Sequence, residues 1–132
     1  MCSDLNQLKK GLHDLTKSLR AVDIETGLLH SFGHSTIYLE VMKSLELAAL
    51  HKHVHQFLKS TCEEVFHLYE PSNWVPHITL AMEDLDESQF QAFMKTYKSD
   101  QVQLHQTLTS LTLVEYTADG QIQVIEDFAF GQ

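Results

Sequence analysis

Basic residues are scarce in this chain. Nine Lys and Arg stand against eighteen Asp and Glu, giving a net charge of −9 over 132 residues. Such a surface repels phosphates on balance, so a broad nucleic-acid-binding face is excluded and only a small local phosphate site stays open. Two cysteines, Cys2 and Cys62, are too few for a disulfide framework. Two prolines and five glycines leave no low-complexity segment and no dividing linker, so residues 1–132 read as one compact domain. No repeat of solenoid length is visible. The N-terminal string MCSDLNQLKKGL has no apolar stretch of the secretory kind. The longest apolar run, around residues 45–50, falls far short of a membrane span. No membrane partner is expected, and the cytoplasm is the simplest location.

What the chain does have is histidine. Nine are present, and they form the main reserve of positive charge near neutral pH.

The apolar pattern sets the frame. Ser3 is placed to cap a first helix, along which Leu5, Leu8, Leu12, Leu15 and Leu19 recur at helical spacing. Residues 22–31 alternate weakly, as a strand. Phe32-Gly33 marks a turn, and TIYLEVM (36–42) is rich in branched and aromatic residues, as strands are. Ser44 starts a long helix over 45–66, with Leu47, Leu50, Val54, Phe57, Leu58, Thr61 and Val65 as its inner stripe. A strand follows at 75–82. A third helix is capped by Asp86 or Ser88 and turns Phe90, Phe93, Met94 and Tyr97 inward. A long strand over 102–116, bulged near Thr107, joins a last strand at 121–130 through Ala118-Asp119-Gly120. This order predicts an α+β fold, a mostly antiparallel sheet with three helices packed on it.

The chemistry concentrates in WVPHITLA, residues 74–81. Residues two apart in a strand face the same way, so His77 and Thr79 project together, with Ile78, Leu80 and Met82 turned to the helix side. An imidazole exchanges a proton near pH 7, and a hydroxyl donates to a phosphate oxygen. A half-buried strand with one polar face gives His-x-Thr by chance as well, so the spacing alone carries little weight.

The wider string resembles the second signature of the 2H phosphoesterases, the family that includes the 2′-5′ RNA ligase-like proteins and cyclic phosphodiesterases. There a tryptophan- or proline-led His-x-Ser/Thr precedes an apolar residue, and here Trp74, Pro76, His77, Thr79 and Leu80 fill those places. The Gly33 turn, the STIYLEV strand and the Leu50-His51 helix also follow that family's order. The resemblance implies a metal-independent phosphodiesterase without a cofactor, in which two His-x-Thr motifs face each other. One histidine acts as base and one as acid, and the hydroxyls hold the phosphate. The implied substrates are small nucleotides or RNA ends, 2′,3′-cyclic phosphates among them. It also implies a first motif ahead of the point where this sequence starts. His34 and Thr36 form a second His-x-Thr as a substitute pair, and a homodimer that brings two His77 side chains together is the other route to two imidazoles. A rival expectation is an inactive remnant that binds a nucleotide or a protein.

Three further groups carry metal-binding or nucleophilic side chains. His51 and His55, four apart on a helix, have zinc-ligand spacing, with His13, His67, Glu63 or Asp84 as partners by type only. A solvated or half-buried helix face is the plainer reading. Cys62 reads as a structural cysteine rather than a nucleophile. Glu83, Asp84, Asp86 and Glu87 read as an acidic helix start rather than magnesium ligands. No Lys or Arg lies between Lys59 and Lys95, so the motif region brings no permanent cation of its own.

Overall fold

The computed structural model describes residues 4–82, 85–97 and 103–131. In chain order it runs α1 (Leu5–Lys17), β1 (Val22–Phe32), β2 (Thr36–Val41), α2 (Leu45–Thr61), a 3₁₀ turn (His67–Tyr69), β3 (His77–Met82), α3 (Glu87–Tyr97), β4 (His105–Leu108), β5 (Ser110–Tyr116) and β6 (Ile122–Ala129). The fold is α+β, with three helices and antiparallel pairing of β1 with β2, β2 with β3 and β5 with β6. Packing divides the chain into two compact units, each assembled from separate stretches.

The first unit comprises residues 1–22, 45–73 and 107–132. Its core is Leu8, Leu12 and Phe128, against which Leu15, Phe57, Leu58, Leu111 and Leu113 pack. Leu8 and Leu12 sit on one helical stripe, so α1 buries the face that the leucine spacing predicts. Leu5 on the same stripe is 45% exposed, because it lies at the helix start. The cap of α1 is Asp4, whose carboxylate accepts the Gln7 N–H at 3.1 Å. Ser3 lies outside the described residues. Gly11 is required where α1 meets α2, since a Cβ there would stand 2.4 Å from the Phe57 ring. At the other end, the Gly131 N–H donates to the carbonyls of Thr16, in the last turn of α1, and Leu19, just past it.

α2 ends at Thr61, five residues before the expected 66. Glu63 and Glu64 follow, and acidic side chains oppose the negative C-terminal end of a helix. Phe66, just past the expected stripe, is 76% exposed as a result.

The second unit comprises residues 23–44 and 74–106. Its core is Ile37, Phe90 and Met94, joined by Ala81, Leu85 and Phe93. Asp86 caps α3 reciprocally: its carboxylate accepts the Gln89 N–H at 2.7 Å, and the Gln89 amide oxygen accepts the Asp86 N–H at 3.1 Å. Tyr97, expected inward, is 44% exposed at the end of α3. The strand order is β3-β2-β1-β4, with β5-β6 a separate two-stranded sheet.

The expected single strand over 102–116 is two strands in different sheets. β4 ends at Leu108, β5 starts at Ser110, and the carbonyl of the intervening Thr109 accepts the Phe130 N–H. Val102 lies outside the described residues.

Candidate active site

Strand β2 lies between β1 and β3 and decides which side chains meet. TIYLEV alternates, so Ile37, Leu39 and Val41 are buried on the α3 side. Tyr38 and Glu40 project from the opposite face.

β3 is antiparallel to β2 and places His77 opposite Glu40 and Thr79 opposite Tyr38. His77 and Thr79 therefore share the Tyr38–Glu40 face, as the period-two reading expects. The next pair is Ala81 with Ile37, so Leu80 is one residue too many for its partner strand. This bulge corrects the other half of the expectation. Ala81, not Leu80 or Met82, packs into the Ile37–Phe90 core, and Leu80 is 53% exposed. Bulges re-aim side chains and recur beside functional sites.

Nδ1 of His77 lies 2.6 Å from the Val75 carbonyl oxygen. A carbonyl only accepts, so Nδ1 carries the proton, and Nε2 of the neutral ring presents its lone pair outward. Both His77 and Thr79 are exposed. Among the described residues the Thr79 hydroxyl has no protein partner. A base and a hydroxyl donor thus stand side by side.

Tyr38 is only 8% exposed, because rings cover it. Phe32 stacks on it at 4.2 Å, His30 stacks at 5.6 Å, and His77 meets it edge-on at 5.2 Å. Phe32 also meets the edge of the His77 ring at 5.1 Å. Burial pushes the Tyr38 phenol above its ordinary value, and the Glu40 carboxylate adds to that, so the hydroxyl stays a proton donor.

β1 contributes through a second bulge. Thr26 pairs with Val41 and Leu29 with Leu39, which leaves one extra residue at Gly27-Leu28. The Leu28 N–H donates to Glu40 Oε2 at 3.2 Å. The same oxygen lies 3.8 Å from His30 Nε2. Gly27 makes this approach possible, since a Cβ there would stand 2.5 Å from that oxygen.

The substitute pair separates. Thr36 pairs with Phe32 and Met82 and lies two residues before Tyr38 on the same face. His34 precedes it in the turn, and its ring meets Phe90 of α3 at 5.7 Å. The structure thus places His34 on the α3 side of the sheet and His77 on the Tyr38 side.

A cation does reach the motif, from outside the stretch between Lys59 and Lys95. Lys43, just past β2, holds its Nζ 5.2 Å from the centre of the Trp74 ring. Antiparallel pairing carries it there, because the Val41 N–H donates to the Pro76 carbonyl.

The remaining groups resolve simply. His55 is 7% exposed and its ring stacks with His51 at 6.1 Å, beside a pocket of about 260 Å³ lined also by Val54, Leu58 and Tyr69. Among the described residues, no three His, Cys, Asp or Glu converge to hold a metal ion. Asp86 caps α3 and Glu87 sits in its first turn. Glu83 and Asp84 lie outside the described residues. Cys62 is half-buried and disulfide-bonded, which removes it as a thiolate nucleophile. No described helix is long and apolar enough to cross a membrane.

His30, Tyr38, Glu40 and Lys43 are absent from the sequence-based site. Tyr38 and Glu40 carried a usable signal, since they alternate with Ile37, Leu39 and Val41 in TIYLEV. His30 carried none, because the bulge at Gly27-Leu28 breaks the alternation that would have set its face.

The sequence model of the 2′-5′ RNA ligase superfamily matches residues 3–120. No curated protein matches the chain. With most of its length covered by that match, the chain belongs to the 2′-5′ RNA ligase superfamily, the 2H phosphoesterases.

Proposed function

We propose that the chain is a phosphodiesterase of the 2H type, acting without metal on a 2′,3′-cyclic phosphate at a small nucleotide or RNA end. The observation that supports this most is the paired projection of His77 and Thr79 from β3, with the outward His77 nitrogen fixed as a lone pair by the Val75 carbonyl. In this reading His77 Nε2 takes a proton from the attacking water while Thr79 donates to a phosphate oxygen. The new water–phosphorus bond forms as one ribose–phosphorus bond breaks, leaving a phosphomonoester. Phe32, 40% exposed and stacked on Tyr38, offers a nucleoside a flat apolar edge.

Hydrolysis of adenosine 2′,3′-cyclic phosphate in the presence of EDTA tests the reading. Turnover is expected, and His77→Ala is expected to lower kcat by about 10²–10⁴-fold. Turnover that survives His77→Ala excludes His77 as the base. A folded protein with no turnover points instead to an inactive binding module.

A further inference from the structure

We propose that His30 is the second proton-transfer group of this site and that Glu40 is its positioning residue. The inference rests on the phosphodiesterase reading above and names a proton donor to act beside His77.

Four observations converge. First, His30 is opposite Tyr38 in the β1–β2 register, so it projects from the face that carries His77. Both imidazoles contact the Tyr38 ring, at 5.6 Å and 5.2 Å, and are no further apart than the sum of these distances. In-line phosphoryl transfer has entering and leaving oxygens on opposite sides of phosphorus, each needing a proton carrier within about 2.6–3.2 Å. The register sets the two imidazoles on the strands that flank β2, on one face of the sheet.

Second, the two rings have opposite kinds of partner. His77 donates through Nδ1 to a neutral carbonyl, the arrangement of a base. His30 turns Nε2 toward a carboxylate, the arrangement of an imidazolium that can give a proton from Nδ1. Among the described residues, His30 Nδ1 has no protein partner.

Third, the carboxylate is held. The Leu28 N–H, freed from the ladder by the bulge, binds the Glu40 oxygen that faces His30, and Gly27 leaves room for it.

Fourth, the charges require it. A carboxylate on a phosphate-facing surface repels the phosphate unless a cation stands between them. His30, 3.8 Å from that carboxylate, is the side chain placed to take this part. The titratable groups facing His30 are Glu40 and Tyr38 from β2, and those on the His77 side are Tyr38 and, by register, Glu40.

The step balances. Water loses its proton to His77 Nε2 as its oxygen bonds to phosphorus. The ribose oxygen leaves with the electron pair of the broken bond and takes the proton from His30 Nδ1. The net change is one water added and one phosphomonoester formed, with proton exchange through solvent restoring both rings.

The test has two arms on the full chain. In the first, the imidazole C–H signals of the wild-type protein, assigned with His30→Gln and His77→Gln, are followed by NMR as adenosine 2′-monophosphate is added. Both rings are expected to respond over one saturation curve. In the second, kcat for adenosine 2′,3′-cyclic phosphate is measured against pH. The wild type is expected to give a bell. His30→Gln is expected to lower kcat by about 10²–10⁴-fold and to abolish the fall at high pH, since the group that must keep its proton is gone. A response from His77 alone overturns the proposal, as does a His30→Gln variant that keeps the wild-type kcat and high-pH fall. Response from both rings with no turnover overturns the proton-transfer role. Silence from both rings with no turnover refutes the phosphodiesterase reading itself, and this proposal with it.

Discussion

Replacing Gly27 by alanine moves one carboxylate and little else. The added methyl carbon would lie 2.5 Å from Glu40 Oε2 and 3.3 Å from its carboxyl carbon. The obstacle is the end of a flexible side chain, so the side chain gives way rather than the backbone. A retreat of about 1 Å restores ordinary van der Waals contact. It breaks the 3.2 Å bond from the Leu28 N–H and carries the oxygen away from His30. A hydrogen bond to a charged group contributes roughly 1.5–3 kcal/mol when buried. Glu40 is 38% exposed at its side chain, water replaces much of that bond, and about 1 kcal/mol is the expected loss. Alanine restricts the unfolded chain and returns about 0.4–1 kcal/mol. Net stability is therefore expected to stay within about 1 kcal/mol of the wild type, while kcat for the cyclic nucleotide falls at least about tenfold because His30 loses its positioning partner. Thermal unfolding and steady-state kinetics on one preparation check both. A large drop in melting temperature refutes the idea that only a side-chain tip is displaced. Unchanged kcat with unchanged stability refutes the role given to Glu40.

Two further outcomes follow from the packing. Phe128 is 1% exposed and lies at the centre of the α1–α2–β6 core, so Phe128→Ala is expected to cost about 3–5 kcal/mol in urea unfolding. The raised Tyr38 phenol makes a signed prediction. Its folded value lies above the ordinary 10.0, so the unfolded chain releases the proton first. The contribution is intact below about pH 10 and declines as pH rises toward the folded value. Urea midpoints measured from pH 8 to 11 are expected to show the wild type losing stability relative to Tyr38→Phe at the alkaline end, and parallel curves refute the burial argument.

Much of this was legible in the residues. The leucine spacing of α1, a cap of α3 at Asp86 or Ser88, the TIYLEV strand and the shared face of His77 and Thr79 all follow from local periodicity and capping chemistry. The misses are also physical. Each bulge shifts the period by one residue, and no local rule announced Leu80 or Gly27-Leu28 as the extra one. The break at Thr109 depends on a distant N–H from Phe130, and the arrival of Lys43 at Trp74 depends on strand pairing. The early end of α2 was there to be read, in the two glutamates after Cys62. His30 needed both the register with Tyr38 and the bulge before it could be given a face.

The bond from His77 to the carbonyl two residues earlier has a consequence beyond this chain. The Nδ1 proton is held by the residue's own backbone, and only the packing of the ring, against Tyr38 and Phe32, comes from other strands. An extended stretch from the valine to the threonine thus sets the ring's tautomer by itself, and needs only an aromatic wall beside it to hold the ring in place. Evolution could copy such a unit whole, and a protein engineer could graft it onto an unrelated sheet.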